Sequence, residues 1–298
     1  PPSPRLYHTV GLNTGNLLFT NAVWSQIGGP KERFNFTFKP DHLMSRVDRL
    51  VIPAANWLNP TVDFSDLADR VEGLNIPVVL IGLGTQDSTY SGTVEVPEGT
   101  IRFVRAVSDR SASISVRGEY TKKILAEYGI HNVTVTGCPS LYHDFRPHSQ
   151  LPDRISVRAG RGLIHSTRFA LDDGAFAAAK SVHRDLYRFA FKHQLGLLLQ
   201  SEPEEMSLLT GFTSAEETPV QVQDILKKLY GAADWPTLER YLKGSARVFF
   251  NTSDWALSLS EYDYTLGTRL HGTIMALNSG VPGVLVTHDS RTSEIAEF

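Results

Sequence analysis

Short apolar runs alternate with longer segments of helical period along most of the chain. The runs are rich in Val, Leu and Ile and have the length of strands. We predict strands at residues 49–53, 77–83, 112–116, 133–136, 162–166, 196–200, 247–250, 264–267 and 283–287. Strands that are covered on both faces have such nearly continuous apolar sequences, so the pattern favours parallel sheets.

The segments between the runs predict helices, notably at residues 118–128, at 173–193 and after Gly272. Strands alternating with helices indicate βαβ units and an α/β fold. Residues 144–154 contain two prolines and little periodicity, which is typical of a linker. We therefore predict two doubly wound parallel-sheet domains, residues 1–147 and 148–298, that face a cleft. Such a cleft would hold ligands at the carboxyl ends of the strands.

Composition narrows the class of protein. The 298 residues are 41% hydrophobic and 20% charged, as in a globular protein rather than a disordered one. No apolar run approaches the roughly 18 residues of a membrane span. The net charge is −3 with no basic patch, so no nucleic-acid binding is expected. A single cysteine, Cys138, excludes internal disulfides and Cys-rich zinc sites, and we expect a site without metal.

The segment 264–282 carries the clearest candidate chemistry. It predicts a strand, a tight turn and a helix, with Arg269 and His271 at the turn. Free N–H groups at a helix start favour an anion, and a guanidinium is suited to phosphate or carboxylate. His271 adds a group that can move a proton near neutral pH, and Gly272 would let a ligand approach the backbone. The alternative is a structural helix cap with an exposed Arg and a buried His.

Other candidates lie at strand ends and in loops. Arg117 follows one predicted strand and Arg168 follows another, where each would bind a ligand or form an ion pair. The Gly-rich loop 82–87 after an apolar strand contains Gln86, and the loop 11–16 at the first helix contains Asn16. A polar loop is expected at residues 287–294 after the last predicted strand, with His288, Asp289 and Arg291 lining the cleft.

The Arg-Leu-His-Gly element at 269–272, followed by Ala-Leu at 276–277 and Gly-Val-Pro at 280–282, resembles the signature of the polysaccharide pyruvyl transferase family. Segments that agree in order are Thr-Gly-Asn-Leu-Leu at 14–18, Ile-Ser-Val-Arg at 114–117 and the strand and turn at 133–139. The chain departs from the family pattern at Gly118, where Asp is usual, and at Gly137-Cys138, where an acidic residue is usual before Pro139. Asn16-Leu17 also replaces the common Gly-Asp pair.

The resemblance implies transfer of a pyruvyl group from phosphoenolpyruvate onto a sugar or lipid-linked oligosaccharide as a ketal. It implies architecture similar to that of GT-B glycosyltransferases. In this interpretation Arg269 binds the phosphate or carboxylate, and His271 is the acid or base. Arg117, Arg168, Gly272, Asn16, Gln86 and Asp289 are expected to bind substrate. No cofactor is expected, and the expected location is the cytoplasm, with the inner membrane surface as the alternative.

Two further hypotheses stay open from the sequence. A nucleotide-sugar glycosyltransferase of the same shape would hold a diphosphate at the Arg269–His271 turn. A non-catalytic member would keep the fold as a glycan-binding subunit, although such a subunit would not need both residues at one turn.

Overall fold

The computed structural model describes residues 4–87, 93–143, 161–171, 174, 177–210 and 218–298. Nine strands occur in these ranges: β1 Leu50–Pro53, β2 Val78–Ile81, β3 Ile114–Val116, β4 Val133–Val135, β5 Gly162–His165, β6 Gly196–Leu199, β7 Ala246–Val248, β8 Tyr264–Gly267 and β9 Gly283–Leu285. Each lies within its predicted apolar run, except that β7 begins one residue earlier. All pairings are parallel, which confirms the mixed α/β class with parallel sheets.

The helices of the described ranges are α1 Pro4–Thr9, α2 Asn16–Gln26, α3 Pro40–Met44, α4 Ser65–Glu72, α5 Glu98–Ser108, α6 Glu119–Glu127, α7 Lys180–Lys192, α8 Pro203–Thr210, α9 Val220–Tyr230, α10 Trp235–Ser245, α11 Thr252–Leu259, α12 Leu270–Asn278 and α13 Ser290–Glu297. In the part of the chain that the structure describes, no helix combines the length and apolar character needed to cross a membrane.

Two helices differ from the sequence expectation. The helix predicted at 173–193 begins at Lys180, and a short 3-10 segment, Ala177–Ala179, precedes it. Part of its predicted start lies outside the described residues, as does most of the predicted linker. The polar loop predicted at 287–294 is wrong, because α13 begins at Ser290. Its start is a capping box: the Asp289 carboxylate accepts from the Thr292 N–H, and the Thr292 hydroxyl bonds back to the backbone of Asp289.

The chain divides into two compact units, each built from two stretches. The first unit comprises Pro1–Asn21 and His143–Val286, and the second comprises Ala22–Tyr142 and Thr287–Phe298. A single division at residue 147 groups residues 1–21 and 287–298 differently, since each terminal stretch belongs with the distant half of the chain.

The first unit contains a five-stranded parallel sheet in the order β7-β6-β5-β8-β9. Strand β5 is central, and Ile164 pairs with Leu197 of β6 on one side and with Leu266 of β8 on the other. The chain proceeds outward from β5 to β6 and β7, then returns to β8 on the opposite side of β5. Helices α7, α9 and α10 pack together beside this sheet and bury an apolar core that includes Leu226 and Leu242.

The second unit contains two parallel pairs, β1-β2 and β3-β4. A parallel bridge between Leu83 and Val116 joins β2 to β3 just beyond the end of β2. Helices α4 and α5 pack against each other, and α5 packs on β2. The buried core of this unit includes Leu80, Phe103 and Ile124.

Candidate active site

The strand order of the first unit creates a topological switch point between β5 and β8. Strands β5 and β8 are neighbours, but the connections that leave them lead to opposite sides of the strand order. Ligands of open α/β sheets bind at such a switch point, outside the carboxyl ends of the strands. Arg269 and His271 follow β8 at this edge, and Ser166 follows β5. The candidate chemistry of the Arg-Leu-His-Gly element therefore lies where the topology favours a ligand.

The Arg269 side chain is held by three groups at this edge. Its Nε donates to the carbonyl oxygen of Ser166 at 2.6 Å, and its Nη2 donates to the Ser201 hydroxyl and the Glu202 carboxylate. The Arg269 side chain is 11% exposed and that of Glu202 is 1% exposed. No described residue accepts a hydrogen bond from Nη1.

His165, the last residue of β5, lies under the same turn. Its Nδ1 accepts the main-chain N–H of Arg269 at 3.1 Å, which satisfies one of the unpaired donors at the start of α12. Complete burial, with a smaller contribution from the Arg269 charge, lowers the pKa of His165 to about 3. His165 is therefore neutral at physiological pH, with its proton on Nε2. Reasoning from sequence did not single out this residue.

The His165 ring fills the space beside Gly272. A Cβ at Gly272 would lie 2.9 Å from Cδ2 and 3.1 Å from Nε2 of His165. Real Cβ atoms show almost no contacts that short, so the helix and the ring could not both keep their places. The group that lies closest to Gly272 is thus an imidazole of the protein, and the approach of a ligand to the Gly272 backbone stays a prediction.

His271 lies in the first turn of α12 and is 9% exposed. Its ring is tilted by 31° against Phe19 of α2, with the centroids 5.6 Å apart. The loop 13–16 is close by, because the position of a Cβ on Gly15 would be 3.0 Å from Nδ1 of His271. This arrangement brings the loop 13–16 and the Arg-Leu-His-Gly element together.

Asn16 starts α2, and its side-chain amide donates to the carbonyl oxygen of Val10 at 2.9 Å. Its main-chain N–H donates to the carbonyl oxygen of Asn13. These bonds fold the loop 11–16 onto itself. Asn16 thus fixes the shape of the loop, and a direct contact of its side chain with sugar stays a prediction.

Arg168 is paired with two carboxylates of α8. It bonds Glu204 and, at 2.5 Å, the fully buried Glu205. Burial raises the pKa of Glu205 to about 7, against the lowering effect of the Arg168 charge. Burial also disfavours the charged form of Arg168, but Glu205 and the other nearby acidic groups outweigh this effect and raise its pKa. The ion pair that the sequence left open as an alternative is therefore present.

Acidic side chains balance the two arginines at this edge of the sheet. Arg168 and Arg269 are matched by Glu202, Glu204 and Glu205. The run Glu-Pro-Glu-Glu at 202–205 begins three residues after the end of β6 and could have signalled these carboxylates. The consequence is that both guanidinium groups are fixed in position before any ligand arrives.

Arg117 lies in the second unit and is 1% exposed. Its Nε donates to the carbonyl oxygen of Gly82 at 2.9 Å, and its Nη1 donates to the side-chain oxygen of Asn56 at 2.9 Å. Its Nη2 reaches the carbonyl oxygen of Ala54 at 3.3 Å. A Cβ at Gly84 would lie 2.8 Å from Cδ of Arg117, so Gly84 makes room for this side chain. Arg117 ties together the segments that follow β1 and β2.

Gln86 and Asp289 are also in the second unit. Gln86 is half-buried, and its main-chain N–H donates to the carbonyl oxygen of Leu58. The Asp289 carboxylate lies 3.1 Å from Arg291. Burial alone would raise the pKa of Asp289, but Arg291, His288 and the bonds from Thr292 outweigh it and lower the pKa. Asp289 caps α13, a role that its place in the sequence did not reveal.

Glu294 explains how the chain tolerates Gly118. The Glu294 carboxylate accepts the main-chain N–H of Thr121 at 2.7 Å and the Thr121 hydroxyl at 2.9 Å. It therefore caps the start of α6 from α13, where an Asp at position 118 would cap the helix locally. A Cβ at Gly118 would overlap Cγ of Glu294. Burial raises the pKa of Glu294, against the bonds from Thr121 that lower it.

Metal ligands do not gather among the residues described here: no group of three or more His, Cys, Asp or Glu side chains is placed to hold a metal ion in those ranges.

Comparison with known proteins agrees with the signature at 269–272. The family model for polysaccharide pyruvyl transferase matches residues 13–290 of the 298-residue chain. No curated protein matches the chain significantly. The family match includes the loop at 13–16, both units and the start of α13. The predicted resemblance is confirmed, and the chain belongs to the polysaccharide pyruvyl transferase family.

Proposed function

We propose that the protein transfers the pyruvyl group of phosphoenolpyruvate onto two hydroxyls of one sugar as a ketal. The observation that carries the proposal is the place of Arg269 and His271 at the switch point of the first unit. Ser166, Ser201 and Glu202 fix the Arg269 guanidinium, and Nη1 stays available to an anion. Membership of the family supports transfer of pyruvyl groups to polysaccharide in general.

The chemistry requires three proton movements. The methylene carbon of phosphoenolpyruvate gains a proton, which makes its C2 electrophilic, and one sugar hydroxyl adds there and loses its proton. The second hydroxyl then adds to the same carbon, its proton leaves with inorganic phosphate, and the ketal is complete. His271 is the acid or base in this scheme because it lies two residues after Arg269, in the first turn of α12. A positioned acid or base contributes about 10²–10⁴-fold to the rate.

The remaining predicted substrate contacts are assigned as follows. The first unit supplies the donor side, with Arg269 on the phosphate or carboxylate and the start of α12 beside it. Arg168 and Arg117 stabilise their surroundings through bonds to the protein. Gln86 and Asn16 are proposed for the sugar or lipid-linked oligosaccharide acceptor. The cleft between two doubly wound domains and the cytoplasmic location stay predictions.

The proposal is tested by ligand-induced thermal shifts. Phosphoenolpyruvate, inorganic phosphate and a set of nucleotide sugars are added separately at millimolar concentration. A ligand that binds only the folded state at a hundredfold excess over its Kd stabilises it by about 2.7 kcal/mol. We expect a shift with phosphoenolpyruvate, and release of inorganic phosphate once a sugar with two suitable hydroxyls is supplied.

A matched pair of variants makes the test specific. Arg269→Lys keeps the charge beside Glu202 but loses the planar fork, so the shift with phosphoenolpyruvate should shrink. Arg161→Lys makes the same change in an exposed pair with Asp263 just before β5, at the opposite edge of the sheet, and should keep the shift. A shift with nucleotide sugars alone would instead favour glycosyl transfer and overturn the proposal.

A further inference from the structure

Gln200 follows β6 at the same edge of the first unit, and the nitrogen of its buried side-chain amide has no partner among the described residues. The residue is 1% exposed. Among the described residues, none accepts a hydrogen bond from its side-chain Nε2, although this atom is buried. Its main chain is fully engaged, because the N–H donates to Glu202 at 2.7 Å and the carbonyl oxygen accepts from Thr14 at 2.9 Å.

The Gln200 amide lies beside His271. A Cβ at Gly15 would collide with Oε1 of Gln200 and would lie 3.0 Å from both Nδ1 of His271 and Oδ1 of Asn13. The amide and the imidazole thus converge on the same point of the loop 13–16, where only glycine leaves room for both. Ser201, the next residue, bonds the Arg269 guanidinium. Gln200 is therefore adjacent to both residues of the proposed anion site.

Buried polar groups in native proteins almost always have hydrogen-bond partners, because an unpaired donor loses its bonds to water without replacement. An apolar side chain of equal volume at this position would avoid the unpaired donor. An unpaired donor persists most readily where a ligand supplies the missing acceptor. The acceptor best suited to this place is an anionic oxygen, since the start of α12 and Nη1 of Arg269 favour anions at the same edge.

We propose that Gln200 is a ligand-binding residue whose Nε2 donates a hydrogen bond to an anionic oxygen of the donor substrate, next to His271. This inference rests on the proposed function. It adds to the anion site a neutral residue, which would bind the substrate through a directed hydrogen bond rather than through charge. The oxygen belongs to the carboxylate or to the phosphate of phosphoenolpyruvate, and pyruvate and inorganic phosphate each carry only one of the two.

The test compares wild type with Gln200→Met, which conserves volume and removes the donor. Titration calorimetry with phosphoenolpyruvate, pyruvate and inorganic phosphate measures each Kd. A hydrogen bond to a charged acceptor predicts about 10- to 100-fold weaker binding of phosphoenolpyruvate. The melting temperature of the ligand-free variant should be unchanged or higher, because an unpaired buried donor is gone. If Gln200→Met also weakens the binding of pyruvate, the oxygen belongs to the carboxylate. If it weakens the binding of inorganic phosphate, the oxygen belongs to the phosphate.

Ser279→Ala is the matched control, since Ser279 also has a buried side chain without a described partner but lies at the far end of α12. It should bind phosphoenolpyruvate like wild type. Gln200→Glu serves as a second variant of almost the same shape, and its charge should weaken binding further. If both Gln200 variants bind phosphoenolpyruvate with the wild-type Kd, the inference is overturned while the proposed function stands. If wild type binds none of the three anions, both the inference and the proposed function are overturned.

Discussion

The main-chain N–H of Arg269 donates a hydrogen bond to Nδ1 of His165, 3.1 Å away. This bond links the last residue of the central strand β5 to the turn that begins α12. Because Nδ1 is the acceptor, the buried ring must be neutral. The position of Arg269 therefore depends on a histidine one strand away. Both Gly267 and Gly272 leave room for its ring.

The first prediction concerns pH and His165. Its pKa falls from 6.5 to about 3 on folding, so below pH 6.5 the unfolded chain binds a proton that the folded chain does not. The stability that the neutral ring contributes is complete above pH 6.5, and it falls by up to about 1.4 kcal/mol per pH unit toward pH 3. We expect His165→Gln to remove this loss. Urea unfolding at pH 7.5, 6 and 5 measures it, and parallel curves for variant and wild type would contradict it.

Glu205 should make the folding stability depend on pH in the direction opposite to that of His165. Its pKa rises from 4.5 to about 7 on folding, so the folded chain binds the extra proton. The corresponding stability is complete below pH 4.5 and is lost as the pH rises through about 7. We expect Glu205→Gln to lose this dependence, so that the fall in stability from pH 6.5 to pH 5 is steeper than in wild type. An unchanged slope in the same urea experiment would show that Glu205 does not titrate in this range.

The pair of Arg269 and Glu202 should matter for stability as well as for binding. Arg269→Met leaves the Glu202 carboxylate, 1% exposed, without its cation. Breaking a buried pair in this way costs about 3–5 kcal/mol. The double variant with Glu202→Gln should recover part of that loss. Arg161→Met, in an exposed pair with Asp263, should cost only about 0–1 kcal/mol. Equal losses from the two single variants would contradict the buried-pair assignment.

His271 should affect turnover far more than folding. We expect His271→Ala to lower kcat by about 10²–10⁴-fold, the usual contribution of a positioned acid or base. Its melting temperature should fall far less than its kcat, because substitutions of one side chain usually change stability by only about 1 kcal/mol. His193→Ala removes an exposed histidine after α7 and is the control. Wild-type kcat in pure His271→Ala protein would refute the role.

Gly118 and Glu294 should be energetically coupled. Glu294→Ala leaves the N–H of Thr121 uncapped and should cost about 0.5–2 kcal/mol. Gly118→Asp alone should also destabilise, because the new Cβ overlaps Cγ of Glu294. In the double variant the Asp can cap α6 locally, so the combined loss should be smaller than the two single losses together. A double-mutant cycle from urea unfolding measures this coupling, and strict additivity would argue against the exchange of caps.

Much of the fold was accessible from local sequence. All nine strands lie at predicted runs, because buried parallel strands have an apolar sequence that few other elements share. Helix boundaries were harder to predict from the sequence. The start of α13 looked like a loop because Thr287, Asp289 and Ser290 are polar, and polar residues serve both loops and caps. Only the reciprocal bonds of Asp289 and Thr292 identify the helix.

The sequence by itself determined the family, the α/β class and the two residues at the turn after β8, since these depend on contiguous residues. Tertiary structure alone decided which groups surround them. Glu202 engages Arg269, His165 supports its backbone, and Gln200 and Gly15 border His271, although these residues are far apart along the chain. It also assigned both termini to units with distant segments. Contacts of this kind follow from strand order and burial, which no local pattern specifies.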